Sequence, residues 1–133
     1  MFTESEIHYL RTQPLARLAT VSPGGQPDVA PVGFAFDGHY IFVGGRDVPA
    51  TRKYKNVVAG NARVALTIDD LASVQPWRPR GIKIYGTAEV VENAPPFGGA
   101  ALRITPTKSW SWGLDGPVFA DGEFIVRRGH GPR

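Results

Sequence analysis

The sequence predicts a mainly β fold, a small closed antiparallel barrel of six strands with two short helices. Three observations carry this: short alternating segments recur at hairpin spacing, turn-forming pairs separate them, and only two stretches show a helical period. No parallel crossover pattern is present, which disfavours a doubly wound sheet.

Thr3 followed by Glu6 is a capping box, and Ile7 and Leu10 then give a short apolar face, so a helix is predicted over 3–13, ending before Pro14. ARLATV at 16–21 and DVAPVGFAF at 28–36 alternate as strands around the turn formers SPGGQP. Asp37-Gly38 is a second tight turn, and HYIFVGG at 39–45 is the third strand. The period becomes helical from 50 to 60, with Tyr54, Val57 and Val58 on one face and Gly60-Asn61 as a stop. Strands follow at 62–69, 81–91 and 102–112, separated by a Pro- and Trp-containing loop at 70–80 and a flexible connection at 92–100. The segment 113–133 holds too much glycine to fix its elements. Trp110 and Trp112 share one face of the last strand, as core or dimer packing.

One domain over 1–133 is expected from 133 residues, and 42% apolar with 20% charged residues is the balance of a folded chain. There is no cysteine, which excludes disulfides, thiolate metal sites and a cysteine nucleophile and fits the cytoplasm. No export signal is expected, since MFTESEIHYLRTQ carries acids early and has no apolar h-region, and no stretch approaches the about 20 apolar residues of a membrane span. A net charge of +3 favours an anionic small molecule, with too small and dispersed an excess for nucleic acid. His8, His39 and His130 have no ligand spacing, so no metal is predicted. Asp69 and Asp70 are adjacent and point to opposite faces of a strand, so they form no convergent carboxylate pair. GxGxxG, P-loop, HExxH and GxSxG motifs are absent.

The stretch PATRKYKN, residues 49–56, places Arg52, Lys53 and Lys55 at a helix start, where cations oppose the helix dipole. A solvated basic face is one reading. The other is an anion, with a phosphate as the natural ligand for the Thr51 hydroxyl, Arg52 and Lys53. Gly44-Gly45, just before this loop, either forms a turn or lets backbone approach a ligand.

These residues, with MFTESEIHYLRTQPLARLATV, GQPDVAPVGFAF, ATRKYKN, RVALTIDDLASVQPWRPRGIKIYGTAEVV and LRITPTKSWSWGLD, resemble the pyridoxamine 5′-phosphate oxidase-like, flavin-binding split β-barrel superfamily. The resemblance is closest to its actinobacterial branch that uses the deazaflavin coenzyme F420. It implies that Arg52 and Lys53, where flavin oxidases carry S-R-K, hold a cofactor phosphate beside Thr51. It also implies that Val29, Ala30, Pro31 and Val32 line the isoalloxazine ring, although Pro31 is equally read as a strand-edge proline.

Oxidases that use flavin mononucleotide carry R-Q-V on the fifth strand, whereas this chain has Arg80-Gly81-Ile82 and lacks the flavin-contacting Gln. That departure favours F420 over flavin mononucleotide. Trp77 is a candidate to stack on the cofactor across a dimer interface, with Arg78 and Arg80 meeting its acidic tail, or else these residues only pack and solvate. The implied protein is a homodimer with cofactor sites at its interface, in a groove outside the barrel.

The leading expectation is an F420-dependent reductase that transfers hydride to a small conjugated organic substrate. The alternatives are a flavin mononucleotide-binding oxidase-like protein and a non-catalytic cofactor binder. Hydride transfer needs positioning more than acid–base groups, so no catalytic residue is assigned, and Tyr54 and Tyr85 are only possible proton donors.

Overall fold

The computed structural model describes residues 1–131. Helix α1 (Glu4–Thr12) begins as the capping box requires: the Glu6 N–H donates to Thr3 Oγ1 at 3.1 Å, and the Thr3 N–H donates to Glu6 Oε1 at 2.9 Å. Strands β1 (Leu15–Val21) and β2 (Pro27–Phe36) pair antiparallel from Leu15↔Gly33 to Val21↔Pro27. At the next turn the Asp37 carboxylate accepts the N–H groups of His39 and Tyr40, and Gly38 takes a left-handed φ of 104°. Strand β3 follows (Ile41–Val43), then a 3-10 turn at Val48–Ala50, helix α2 (Arg52–Val58), and strands β4 (Arg63–Ser73), β5 (Arg78–Val91) and β6 (Ala101–Trp112).

The strand order is β3-β2-β1-β4-β5-β6, and β3 also pairs with β6 through Val43↔Leu102 to Ile41↔Ile104, which closes a six-stranded antiparallel barrel. Closure covers only the first part of β6. Its later part, Lys108 to Ser111, pairs instead with β9 (Arg127–His130), so the barrel is shut at one end and parted at the other. The inward rows Leu18, Leu66, Ile68, Ile82, Ile84, Leu102 and Ile104 are at most 1% exposed. Aliphatic side chains fill the interior, so a cofactor-sized ligand has to sit outside.

Two readings need correction, and one open segment gains its elements. The loop predicted over 70–80 is a long hairpin that leaves only 74–77 outside its two strands, because Asp70 and Arg80 face each other across it. Pro79 is tolerated there because β5 has β6 on its other side only from Gly81 onward. Trp110 and Trp112 do share a face, but it is the outer one; Ser109 and Ser111 point inward and are buried, which overturns core packing for the tryptophans. The segment after 113 forms a small hairpin, β7 (Phe119–Ala120) with β8 (Glu123–Phe124), and then β9.

The tail is fastened by chemistry that no spacing in the sequence announces. Glu6 is fully buried and meets Arg127 Nη1 at 2.8 Å, while the Ser111 hydroxyl donates to its other oxygen. One carboxylate thus caps α1, anchors β6 and holds β9.

Candidate functional site

The candidate site is built where β3 runs into α2. Asp47 takes a left-handed φ of 52°, the 3-10 turn reverses the chain, and Thr51 caps α2: its hydroxyl accepts the Tyr54 N–H and donates to the Val48 carbonyl at 2.6 Å. Helix α2 packs against β1, β2 and β5 and sends Val57 into the core. This leaves Arg52 exposed and Lys53 partly buried.

Neither cation makes an ion pair among the described residues. Burial pulls the Lys53 amine below its usual lysine range, and the charge of nearby Asp28 only partly opposes this. A partly desolvated cation without a bonded counter-charge is costly to keep, which is what an anion-binding position requires.

Beside Lys53 runs the open part of β2. Residues 27–33 pair with β1 on one side, and β3 joins the other side only from Phe34 onward. Pro31 therefore sits on a strand with one unpaired edge, where a proline costs no ladder bond. Val29, 68% exposed, and Pro31 face outward, whereas Ala30 and Val32 face inward and Val32 belongs to the core. Of the four residues predicted to line a ring, two present side chains outside and Val32 offers only backbone.

Gly44 has a packing duty. A Cβ there would lie 2.2 Å from Cγ of Phe97, so the glycine makes room for that ring, which reaches over from the 92–100 connection. Trp77 stands at the tip of the β4–β5 hairpin, 56% exposed, beside a surface cleft of about 350 Å³ shared with Arg78 and Phe119.

Arg80 is already engaged. Its Nε and Nη2 donate to the two oxygens of Asp70 at 2.7 and 2.9 Å, and its guanidinium lies 5.3 Å from the centre of the Tyr9 ring. The Arg80 hydrogen bonds hold the Asp70 carboxyl below the usual carboxylate range. Tyr9 donates to Asp70 at 2.7 Å, and burial together with that bond raises its phenol above the ordinary range. Nothing in the sequence signals this triad of Tyr9, Asp70 and Arg80. Asp69 turns the other way, to Arg17 at 3.0 Å.

Two groups of predicted residues are therefore far apart in one chain. Asp28 pairs with Thr20, and the register through Ala19↔Ala65 and Val64↔Gly86 sets the level of Lys53 near Gly86. Arg80 lies six residues along β5 from Gly86, roughly 20 Å at about 3.3 Å per residue. Thr51, Arg52, Lys53 and the β2 edge come together; Trp77 and Arg80 do not join them within the chain.

Gly81 is fixed by sterics. A Cβ would stand 2.7 Å from Trp112 Cζ2, 2.8 Å from the Ile68 carbonyl oxygen and 2.9 Å from Asp69 Cβ. Gly81→Ala is therefore expected to cost about 1–3 kcal/mol in urea unfolding, as overpacking does. Wild-type stability in that variant would show that the site can accept a side chain.

Among the described residues, no three His, Asp or Glu side chains gather as a metal site, and no helix is long and apolar enough to cross a membrane.

Comparison with known proteins agrees with this fold. Residues 3–126 match the family model described as pyridoxamine 5′-phosphate oxidase. A 5a,11a-dehydrotetracycline/5a,11a-dehydrooxytetracycline reductase of Streptomyces rimosus is 39% identical over 124 residues, covering 88% of this chain and 87% of the relative. Among solved structures, an F420 reductase superposes with a TM-score of 0.64 at 23% identity, covering 82% of this chain and 98% of the other. A putative pyridoxamine 5′-phosphate oxidase of Lactobacillus delbrueckii superposes with a TM-score of 0.61 at 23% identity, covering 81% and 92%. A split barrel with its interior filled, a family match over nearly the whole length and a reductase relative converge: the chain belongs to the pyridoxamine 5′-phosphate oxidase family of oxidoreductases.

Proposed function

We propose that the protein is a cytoplasmic F420-dependent reductase that passes hydride to a small conjugated organic acceptor. The observation that carries this reading is Lys53, a partly buried cation with no ion-pair partner among the described residues, set against the open edge of β2. Arg52, Lys53 and the Thr51 segment take the cofactor phosphodiester, Val29 and Pro31 meet the ring from outside, and the backbone of 29–32 meets its polar edge.

The choice of deazaflavin over flavin mononucleotide rests on Gly81. The flavin-contacting Gln of the related oxidases belongs at this position, and Trp112, Ile68 and Asp69 leave no space for any side chain. The solved structure named as an F420 reductase shares this fold.

When bound, reduced F420 supplies the hydride, and water supplies the proton that completes addition across the conjugated bond. The chain's own residues bind, orient and shield. Trp77 and Arg80 lie roughly 20 Å from the Lys53 level, and a homodimer with sites at its interface, as the resemblance implies, would bring the partner's Trp77 and the partner's Arg80 to the cofactor. Arg80 would then act as a neutralised clamp with Asp70, leaving exposed Arg78 as the cation for an acidic tail.

The test is oxidation of reduced F420, followed by its absorbance, with a panel of conjugated enones and quinones as acceptors. Turnover is expected with F420 and not with reduced flavin mononucleotide. Turnover with the flavin alone would favour the oxidase-like reading, and tight F420 binding without any turnover would favour a cofactor carrier.

A further inference from the structure

The β4–β5 hairpin leaves the barrel as a two-stranded ribbon. Among the described residues, β1 pairs with β4 only at Ala65 to Thr67, and β6 pairs with β5 only from Gly81 onward, so the ribbon from Asp70 and Arg80 outward has no flanking strand. Nothing beside it fixes its twist, and a register shift between Leu71 and Ser73 bends it. The cleft it shares with Phe119 leaves it room to rock.

Its base is pinned at the level where the flanking strands stop. Tyr9 reaches that level from α1, is only 3% exposed, and has no task in the cofactor reading. Its hydroxyl donates to Asp70, and the same carboxylate takes both Arg80 donors, so one helix residue grips both strands of the ribbon. The Arg80 carbonyl oxygen lies 3.4 Å from that hydroxyl.

The anchor is firm. Leu10 of α1 belongs to the core, and Glu6 ties the same helix to Ser111 of β6 and Arg127 of β9. The chain after β6 braces the base as well, since a Cβ on Gly113 would lie 2.6 Å from the Pro79 carbonyl oxygen.

Trp77 stands three residues beyond Arg80, roughly 10 Å along the strand, so a tilt of about 10° at the base swings its indole by roughly 2 Å. A misplacement of about 1 Å is enough to spoil a bound geometry. We propose that Tyr9 is a positioning residue: through Asp70 and Arg80 it fixes the angle at which the ribbon leaves the sheet, and with it the aim of Trp77. That the target of this aim is a cofactor held by a neighbouring subunit rests on the dimeric F420 reading above. The stiffness of the ribbon does not.

The test variant is Tyr9→Phe, which removes one hydroxyl and keeps the ring that packs in the core and lies against Arg80. In the cofactor-free chain, amide hydrogen exchange read by mass spectrometry should quicken several-fold over 71–78 and stay unchanged over 63–67 of β4. Affinity for F420, followed by cofactor fluorescence, should fall roughly three- to tenfold, the worth of one hydrogen bond. Trp77→Ala should weaken F420 too, and adding Tyr9→Phe to it should weaken binding no further, because the ribbon then has nothing to aim. A merely structural loss would add to the Trp77 loss instead.

If exchange quickens over 71–78 but wild type does not bind F420, the clamp stands and the cofactor reading fails. If exchange there is unmoved, if it quickens while wild type and Tyr9→Phe bind F420 equally well, or if the two losses add, the proposal is overturned.

Discussion

Lys53→Ala lowers the affinity for F420 by about 1.5–3 kcal/mol, roughly tenfold to a hundredfold, while the cofactor-free protein loses no stability. The two halves of this result have one cause. In the cofactor-free chain, burial disfavours the charged amine, so its removal relieves a cost. With a phosphodiester present the same amine becomes a charge-assisted donor, and its removal is felt in full.

The sign of the pH dependence follows. Because the folded state lowers the Lys53 pKa, the unfolded chain holds that proton more tightly, and cofactor-free stability rises with pH through the lysine range. A bound anion raises the pKa again and flattens that rise. A sharp drop in cofactor-free melting temperature with unchanged affinity would mean that Lys53 serves the fold and not a ligand.

The second large effect lies far from the site. Arg127→Ala is expected to cost about 3 kcal/mol or more in urea unfolding, because it strands the Glu6 carboxylate, which is 0% exposed. Arg127 itself is 39% exposed, which places the cost near the lower end for a broken buried pair. The damage should be local at first, with hydrogen exchange rising in β9 and at the start of α1, since Glu6 caps that helix and binds Ser111 as well. Glu6→Gln keeps the shape and removes the charge, so the double variant with Arg127→Ala should cost much less than the sum of the two. A loss below about 0.5 kcal/mol for Arg127→Ala would place this pair among surface ion pairs of little consequence.

Local patterns wrote most of the barrel into the sequence. The Thr3–Glu6 box, the Asp37-Gly38 turn and the alternation of Leu66, Ile68, Ile82 and Ile84 each act within a few residues, so each could be read directly. What escaped depends on partners distant in sequence. Asp70 and Arg80 extend a hairpin through two prolines by pairing across it, and Glu6 finds Arg127 only after the chain has folded around β6.

The same division holds at the site. Thr51, Arg52 and Lys53 are a contiguous signal, and the structure sets them at the start of α2 beside the open edge of β2. Gly44 was ambiguous because a glycine records a need for space without naming what fills it; here Phe97 fills it. Alternation put Trp110 and Trp112 on one face but could not say which, since in a closed barrel small Ser109 and Ser111 can serve the inside as well as bulky residues serve the outside.

The central claim is that the chain holds F420 through Lys53 and the β2 edge in preference to flavin mononucleotide. Titration of the purified protein with each cofactor, followed by cofactor fluorescence, tests it most directly. Tight saturable F420 binding, with flavin mononucleotide binding at least tenfold weaker, is the predicted result. Equal or tighter binding of flavin mononucleotide, or binding of neither, would contradict it.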